Sequence, residues 1–384
     1  LRVGISCYPT VGGSGAVATE LGKALARRGH EVHFIVTDVP FRLGAFVEHV
    51  YIHQIEPITY PVLKTPPYDF ALASLMARVA DEYQLDVLHA HYALPFAVCA
   101  YLAREMATHP IRVVTTLHGT DITVLAQDPS LKSIIKLGIE RSDAVTAVSQ
   151  SLVRDTARLF ETDKPIRCIY NFVDPDVFRP GCGGELKRHF APNGERVLLH
   201  ISNFRPVKRL PDVIAVFERV ARRMPAKLLL VGEGPDWGAA KRQVEEAGLE
   251  DRVHFLGRQD EVAPLFAAAD LFLLPSESES FGLVALEAMS CGVPVVGSTA
   301  GGIPEVVVHG ETGFLAPVGH VDDMADLACQ LLQDEAMYRA FSARARERAV
   351  QAFHVDAKVS EYEALYREVM SAERGEHTHP GPGA

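Results

Sequence analysis

The sequence predicts an α/β protein built from two doubly wound parallel-sheet domains that face each other across a cleft. Three observations predict it. Short apolar runs alternate with amphipathic helical stretches through the first half; a Pro- and Gly-rich break follows (Pro175, Pro180-Gly181, Gly183-Gly184, Pro192-Asn193-Gly194); and the same alternation then restarts. Such alternation builds a parallel sheet covered on both faces, with ligands at the carboxyl ends of the strands. A chain of 384 residues is long enough for two such cores.

In the first half the expected strands are Val3–Cys7, Val32–Val36, Val87–Ala90, Val113–Thr116, Ala144–Ala147 and Arg167–Tyr170. Between them the apolar periodicity predicts helices over Val17–Arg28, Phe70–Tyr83, Pro95–Met106, Leu131–Arg141 and Ser151–Phe160. Gly29 stands where a left-handed residue closes the first helix. After the break, strands are expected at Val197–Ile201, Lys227–Val231, Val253–Leu256, Leu271–Leu274 and Val295–Val296, with helices at Val213–Arg223, Trp237–Ala247 and Val262–Ala268. Three more helices, Asp322–Gln333, Ala336–Ala352 and Asp356–Glu373, end the fold. The domains are thus expected at 1–178 and 195–352, and the polar, Pro/Gly-rich tail 375–384 is expected to be disordered.

Composition narrows the function. The net charge of −11 disfavours nucleic acid as a partner. Residues 1–180 carry 17 Lys and Arg against 19 Asp and Glu, and the remainder 21 against 30, so the first half has no surplus of positive charge for acidic lipid. No apolar run approaches the about 20 residues of a membrane span, and Leu1–Ile5 reads as a first strand rather than a signal peptide. The six cysteines form no Cys-x-x-Cys pair and read as small buried residues of a reducing cytoplasm.

The chemistry concentrates in Ser276–Glu287. The run Leu271–Pro275 leads into it as a buried strand, and Leu283–Ser290 reads as a helix stopped by Gly292 and Pro294. Ser280 is the expected N-cap, leaving the amides of Phe281, Gly282 and Leu283 free at a helix start. Free amides and the helix dipole make an anion site that suits a diphosphate, and Gly282 lets a ligand approach closely. Glu279 precedes this helix and Glu287 lies within it, so one carboxylate serves each end of the phosphates, one of them reaching ribose hydroxyls.

Other strand ends add groups of weaker meaning. Gly12-Gly13-Ser14-Gly15 opens the first helix and suits either a phosphate or a tight turn. His118-Gly119-Thr120-Asp121 follows a strand and lies in the expected crevice, although a lone histidine there also suits a core position. His89-Ala90-His91 has the spacing of a metal pair but lacks a third ligand and reads as a strand-end pair, and Asp174-Pro175-Asp176 reads as a turn; no metal or cofactor is expected. Ser202-Asn203-Phe204-Arg205-Pro206-Val207-Lys208-Arg209 places cations across from the Gly282 amides, where Arg binds phosphate bidentately and Lys acts as a point charge. Gly232-Glu233-Gly234-Pro235 and Phe255-Leu256-Gly257-Arg258 end successive strands as turns or as base-binding loops.

The Glu279-x7-Glu287 segment with Ser280-Phe281-Gly282-Leu283 between the acids resembles the nucleotide-sugar signature of retaining glycosyltransferases of family four, the GT-B fold. The resemblance implies that Glu279, His118, Arg205 and Lys208 serve the reaction. It also implies that Gly13, Asn203, Arg258, Ser280, Phe281, Gly282, Leu283 and Glu287 hold the donor. His118 takes the place of a histidine near the sugar's primary hydroxyl, Arg205 and Lys208 clamp the diphosphate, and Arg258 sits beside uracil. It further implies that the helix at about 356–373 crosses back to the first domain.

A narrower resemblance runs through Cys7–Gly15, Pro40–Leu43, Tyr60–Leu63, His89–Pro95, Leu117–Asp121, Tyr170–Asp174 and His200–Arg205. It is to the branch of that family that joins N-acetylglucosamine from UDP-N-acetylglucosamine to the hydroxyl of L-malate in bacillithiol biosynthesis. Ser14, Arg42, Tyr92, Thr120, Lys136 and Asn171 are then the candidates to hold malate. No first-domain acid suits the post of a nucleophile, so same-face attack is expected, the leaving diphosphate taking the acceptor's proton. Rival readings are a transferase with an inositol phosphate or lipid-linked acceptor, a UDP-sugar 2-epimerase, and a non-catalytic sugar-nucleotide sensor. The sequence leaves open whether the chain forms a homodimer.

Overall fold

The computed structural model describes residues 1–9, 12–44, 46–56, 62 and 65–372. Thr10-Val11, Tyr60-Pro61, Leu63 and the tail 375–384 fall outside the described residues.

The first half forms β1 (Arg2–Ser6), α1 (Gly13–Arg27), β2 (Glu31–Val36), β3 (Val50–Gln54), α2 (Tyr68–Tyr83), β4 (Val87–His91), α3 (Val98–Met106), β5 (Arg112–Leu117), α4 (Thr120–Thr123), α5 (Pro129–Arg141), β6 (Ala144–Ala147), α6 (Gln150–Phe160) and β7 (Ile166–Cys168). Its strands make one parallel sheet in the order β3-β2-β1-β4-β5-β6-β7. Local chemistry sets the helices. In α6 the Ser149 hydroxyl accepts from the Leu152 amide, and Leu152, Thr156 and Phe160 recur on one buried face. Burying Leu152 and Phe160 contributes roughly 1.5–3 kcal/mol each.

The second half forms α7 (Gly184–Phe190), β8 (Arg196–Ile201), α8 (Leu210–Ala221), β9 (Ala226–Val231), α9 (Trp237–Glu246), β10 (Val253–Gly257), α10 (Ala263–Ala268), β11 (Leu271–Leu274), α11 (Leu283–Ser290), β12 (Val295–Ser298), α12 (Ile303–Val306), β13 (Gly313–Ala316), α13 (Val321–Gln333), α14 (Glu335–Ala352) and α15 (Val355–Ser371). A second parallel sheet runs β10-β9-β8-β11-β12-β13. The central β11 is buried along its length, which is why it reads as a continuous apolar run.

The two parallel sheets meet the expected fold class, with local corrections. Strand β3 was not anticipated, because it is the sheet's outer strand, half exposed, and lacks a sustained apolar run. Strand β13 also escaped, being four residues long and opening on a glycine. The Gly-rich break holds a short helix, α7, that its two leading glycines conceal.

Helix α15 lies on the first sheet although it follows the second. Val359, Tyr362, Leu365 and Tyr366 are buried in a core shared with α1, β1 and β2. The Tyr366 hydroxyl meets His89 Nδ1 at 2.7 Å, and Arg28 donates to Glu363 at 3.0 Å. The two chain crossings run side by side: the Val173 amide donates to the Phe353 carbonyl, and the Val355 amide to the Val173 carbonyl, both at 3.0 Å. A further apolar core passes from Ile139, Val145 and Leu152 through Phe353 and Phe281 to Leu274, so packing is continuous between the halves.

Candidate active site

The second-domain side is built by the loops after β8 and β11. Lys208 Nζ donates to Glu279 Oε2 at 2.7 Å, and neither side chain is much exposed. The Glu277 amide donates to the Val207 carbonyl at 2.8 Å, which locks the two loops together. Below them the Gly302 amide donates to the Glu279 carbonyl at 2.8 Å.

Ser280 is not the cap of α11. Gly282 occupies the N-cap in a left-handed conformation (φ 94°, ψ 49°), with no side-chain cap, and the helix starts at Leu283. A side chain in that conformation would be strained, so glycine decides where the helix begins. The amides without an intrahelical partner therefore shift to Leu283 and Val284. Phe281 is buried, its ring 6.0 Å from Tyr170 and 5.7 Å from Phe353, so only its main chain is left for a ligand. Arg205 and Asn203 are exposed. Arg258 is exposed too, its guanidinium 5.9 Å from the Phe41 ring and 3.6 Å from Asp260.

On the first-domain side, β4 and β5 end at His91 and Leu117. His118 Nε2 lies 2.9 Å from His91 Nδ1, and the His118 ring stacks on Tyr92 at 5.4 Å. Burial holds the His118 imidazole down to about 3 and His91 well below its ordinary value, so both are neutral near pH 7. Burial raises the pKa of the Tyr92 hydroxyl, and Ser14, Thr120 and Arg205 lie close enough to pull it back. Ser14, Tyr92, Thr120 and His118 thus converge.

Lys136 and Asn171 do not join that cluster through any described contact. Lys136 pairs with Glu140 at 3.6 Å along α5. Asn171 is buried, its Oδ1 without a hydrogen-bond partner among the described residues. Arg42 also stands apart from it: its Nη1 donates to Glu287 Oε1 at 2.8 Å. Burial pushes the Glu287 carboxyl up, and Arg42 pulls it back.

The two sides meet. Gly13, at the open start of α1, lies against Leu283 at the open start of α11. A Cβ on Gly119 (φ 119°) would fall 1.5 Å from Ser280 Oγ. Beside these contacts lies a cavity of about 510 Å³ lined by Glu20, Arg42, Phe178, Val262, Leu283 and Glu287. It leads from α1 to the loop after β10.

Three residues with roles here were assigned none from the sequence. Asp121 is fully buried and accepts from the Gly119 amide at 2.9 Å and the Ala93 amide at 3.0 Å, which fixes the loop carrying His118; burial raises its carboxyl to about 6. Its place in His118-Gly119-Thr120-Asp121 was the available signal. Glu305 of α12 accepts from the Gln150 and Ser151 amides at 2.8 and 2.7 Å, so a second-domain carboxylate caps first-domain α6. His91 bonds His118, and its spacing with His89 had suggested only a strand-end pair. Asp174-Pro175-Asp176 is a turn, with the Asp176 amide on Asp174 Oδ1 at 3.0 Å. Among the described residues no cluster of three or more His, Cys, Asp or Glu is placed to hold a metal ion.

The chain is similar to known proteins in sequence and in fold. Residues 11–177 match the model for Glycosyltransferase Family 4, and residues 185–348 match that for Glycosyl transferases group 1. The N-acetyl-alpha-D-glucosaminyl L-malate synthase of Bacillus anthracis is 52% identical over 371 residues, covering 96% of this chain and 97% of that protein. The D-inositol 3-phosphate glycosyltransferase of Mycolicibacterium smegmatis is 30% identical, with 96% and 89% covered. Among solved structures, sucrose-phosphate synthase from Thermosynechococcus elongatus superposes with a TM-score of 0.81 at 24% identity over 97% of this chain and all of that one. HepE from Anabaena in complex with UDP-glucose gives 0.79 at 22% identity, over 96% of this chain and 99% of that one. At these identities the two structures show a shared fold.

Proposed function

The chain belongs to the family-4 glycosyltransferases, and from that membership we propose that it moves N-acetylglucosamine from UDP-N-acetylglucosamine to the hydroxyl of L-malate, with retention at the sugar carbon. The observation that carries the site is the Lys208–Glu279 pair beside the uncapped start of α11, opposite the convergence of Ser14, Tyr92, Thr120 and His118. The choice of sugar and acceptor rests on the 52% identity to a protein of that activity, against 30% to an inositol phosphate transferase.

In this reading the diphosphate lies between Lys208, Arg205 and the Leu283 and Val284 amides, with the start of α1 facing them. Glu279 and His118 hold sugar hydroxyls, and Glu287 holds the ribose at the edge of the interdomain cavity. Arg258 and Phe41 flank the base. The malate hydroxyl oxygen bonds to the anomeric carbon on the face that the diphosphate leaves. The bond from that carbon to the phosphate oxygen breaks, and the hydroxyl proton passes to the departing diphosphate. Cations and amides already in place stabilise the negative charge that builds there, so this scheme calls on no metal ion. Ser14, Tyr92 and Thr120 are the assigned malate ligands.

The reaction is assigned to the cytoplasm on the six unpaired cysteines, and no described helix is long and apolar enough to cross a membrane. A homodimer is the assembly to test by sedimentation. Incubation with UDP-N-acetylglucosamine and malate should release UDP and give a new glycoside by mass. UDP release with inositol phosphate and not with malate would reassign the acceptor, and conversion of the donor alone would make the protein an epimerase.

A further inference from the structure

Two histidines share one hydrogen bond in the first-domain wall of the site. His91 Nδ1 and His118 Nε2 stand 2.9 Å apart, and both rings are neutral, so one proton lies between these two nitrogens. The other nitrogens differ. His91 Nε2 is buried with no hydrogen-bond partner among the described residues, in a ring fully withdrawn from solvent and covered by the His89 ring at 4.2 Å. His118 keeps 9% exposure.

Two tautomeric arrangements satisfy the shared bond. In one, His118 donates from Nε2, and His91 must carry its own hydrogen on Nε2, leaving an N–H buried with no acceptor. In the other, His91 donates from Nδ1 and leaves only a lone pair unmatched at Nε2. Orphaned buried N–H groups are rarer than unmatched buried acceptors. The second arrangement therefore prevails, and it puts the His118 hydrogen on Nδ1.

We propose that His91 is a positioning residue: by donating its Nδ1 hydrogen to His118 Nε2 it holds His118 in the Nδ1–H tautomer, so that His118 meets the transferred sugar as a hydrogen-bond donor and not as a proton acceptor. The sugar-facing role of His118 rests on the transferase reading; the tautomer does not. It also accounts for a mechanism in which the leaving diphosphate, and not this histidine, takes the acceptor's proton.

The test has two arms on the full chain. Protein labelled with ¹⁵N-histidine, its two rings assigned through His91→Asn and His118→Gln, should give long-range ¹H–¹⁵N correlations of the Nδ1–H tautomer for both residues near neutral pH. A hydrogen on His118 Nε2 would overturn the inference while leaving the transferase reading untouched. In turnover, the side-chain amide that His91→Asn introduces can donate where His91 Nδ1 does, so this variant should keep activity within a few fold. His91→Leu fills similar space without a donor and should lower kcat roughly 10–100-fold, as loss of an outer partner does for other oriented histidines, with the malate KM little changed. Equal activity in the Leu and Asn variants would reduce His91 to packing and overturn the proposal. Wild-type protein that shows the expected tautomers but turns over neither substrate would overturn the transferase reading instead.

Discussion

Arg42 of the first domain and Glu287 of the second form a hydrogen-bonded ion pair at 2.8 Å, with Glu287 buried and Arg42 largely so. The pair ties α11 to the segment after β2 across the cleft. Removing one partner of a buried pair strands the other charge, at about 3–5 kcal/mol where water cannot reach it. Here the pair joins the two domains at the edge of the cavity between them, so the loss should appear as opening. Arg42→Ala should lower kcat and expand the protein in small-angle scattering. If Glu287 holds the ribose as proposed, UDP affinity by calorimetry should be no weaker, because the ribose hydroxyls then meet a carboxylate with no competing cation. A tenfold weaker UDP affinity with unchanged kcat would place Arg42 among the nucleotide ligands.

The Lys208–Glu279 pair gives a second expectation. Glu279→Gln keeps size and hydrogen bonding but removes the charge that faces Lys208. If Glu279 orients the sugar and Lys208 balances the leaving diphosphate, turnover should fall about 10²–10³-fold, the scale of losing one preorganised electrostatic partner. Lys208→Met should fall at least as far, while both variants keep the wild-type circular dichroism. Near-normal turnover of folded Glu279→Gln protein removes Glu279 from the site.

Which of these relationships the sequence could reveal depends on range. Leu271–Leu274 and Leu283–Ser290 were legible because a buried parallel strand and a buried helix each leave an unbroken local pattern. Ser280 misled because a serine just before a helix is the usual cap, whereas the left-handed turn at Gly282 sets the true start. The partners Arg42 and Glu287 are 245 residues apart, and His91 and His118 are 27 apart. No periodicity joins such pairs; only strand order and domain closure bring them together.

Buried histidines set the acid limit of the fold. Burial holds His89 and His118 down to about 3 and His200 down to about 4, against an unfolded value near 6.5. The unfolded chain binds more protons than the folded one between those values, so this stability is complete above about 6.5 and is lost as pH falls. Each histidine contributes a slope of up to about 1.4 kcal/mol per pH unit in that window. Asp121 opposes them: its folded value near 6 lies above the unfolded one, so its contribution grows as pH falls through that range. Glu287, also raised by burial, acts in the same sense as Asp121, and the several histidines outweigh the two carboxyls. Urea midpoints should therefore drop between pH 7 and pH 5.5, and a flat profile would contradict the buried neutral cluster.

Gly119 tests whether closure of the cleft is needed for catalysis. It sits at φ 119° on the His118 loop, and any Cβ there would fall 1.5 Å from Ser280 Oγ on the opposite domain. Gly119→Ala thus carries two penalties, a backbone strain of about 1–3 kcal/mol within the first domain and a clash that arises only when the domains meet. The strain should lower the thermal midpoint by a few degrees. The clash should lower turnover by more than that strain alone implies. The two separate in the double variant: Gly119→Ala with Ser280→Gly removes the opposing hydroxyl and leaves the strain. Its turnover should recover several-fold over Gly119→Ala while its thermal midpoint stays low. Recovery of neither would mean that the damage lies in the His118 loop itself and that the contact with Ser280 does not limit the reaction.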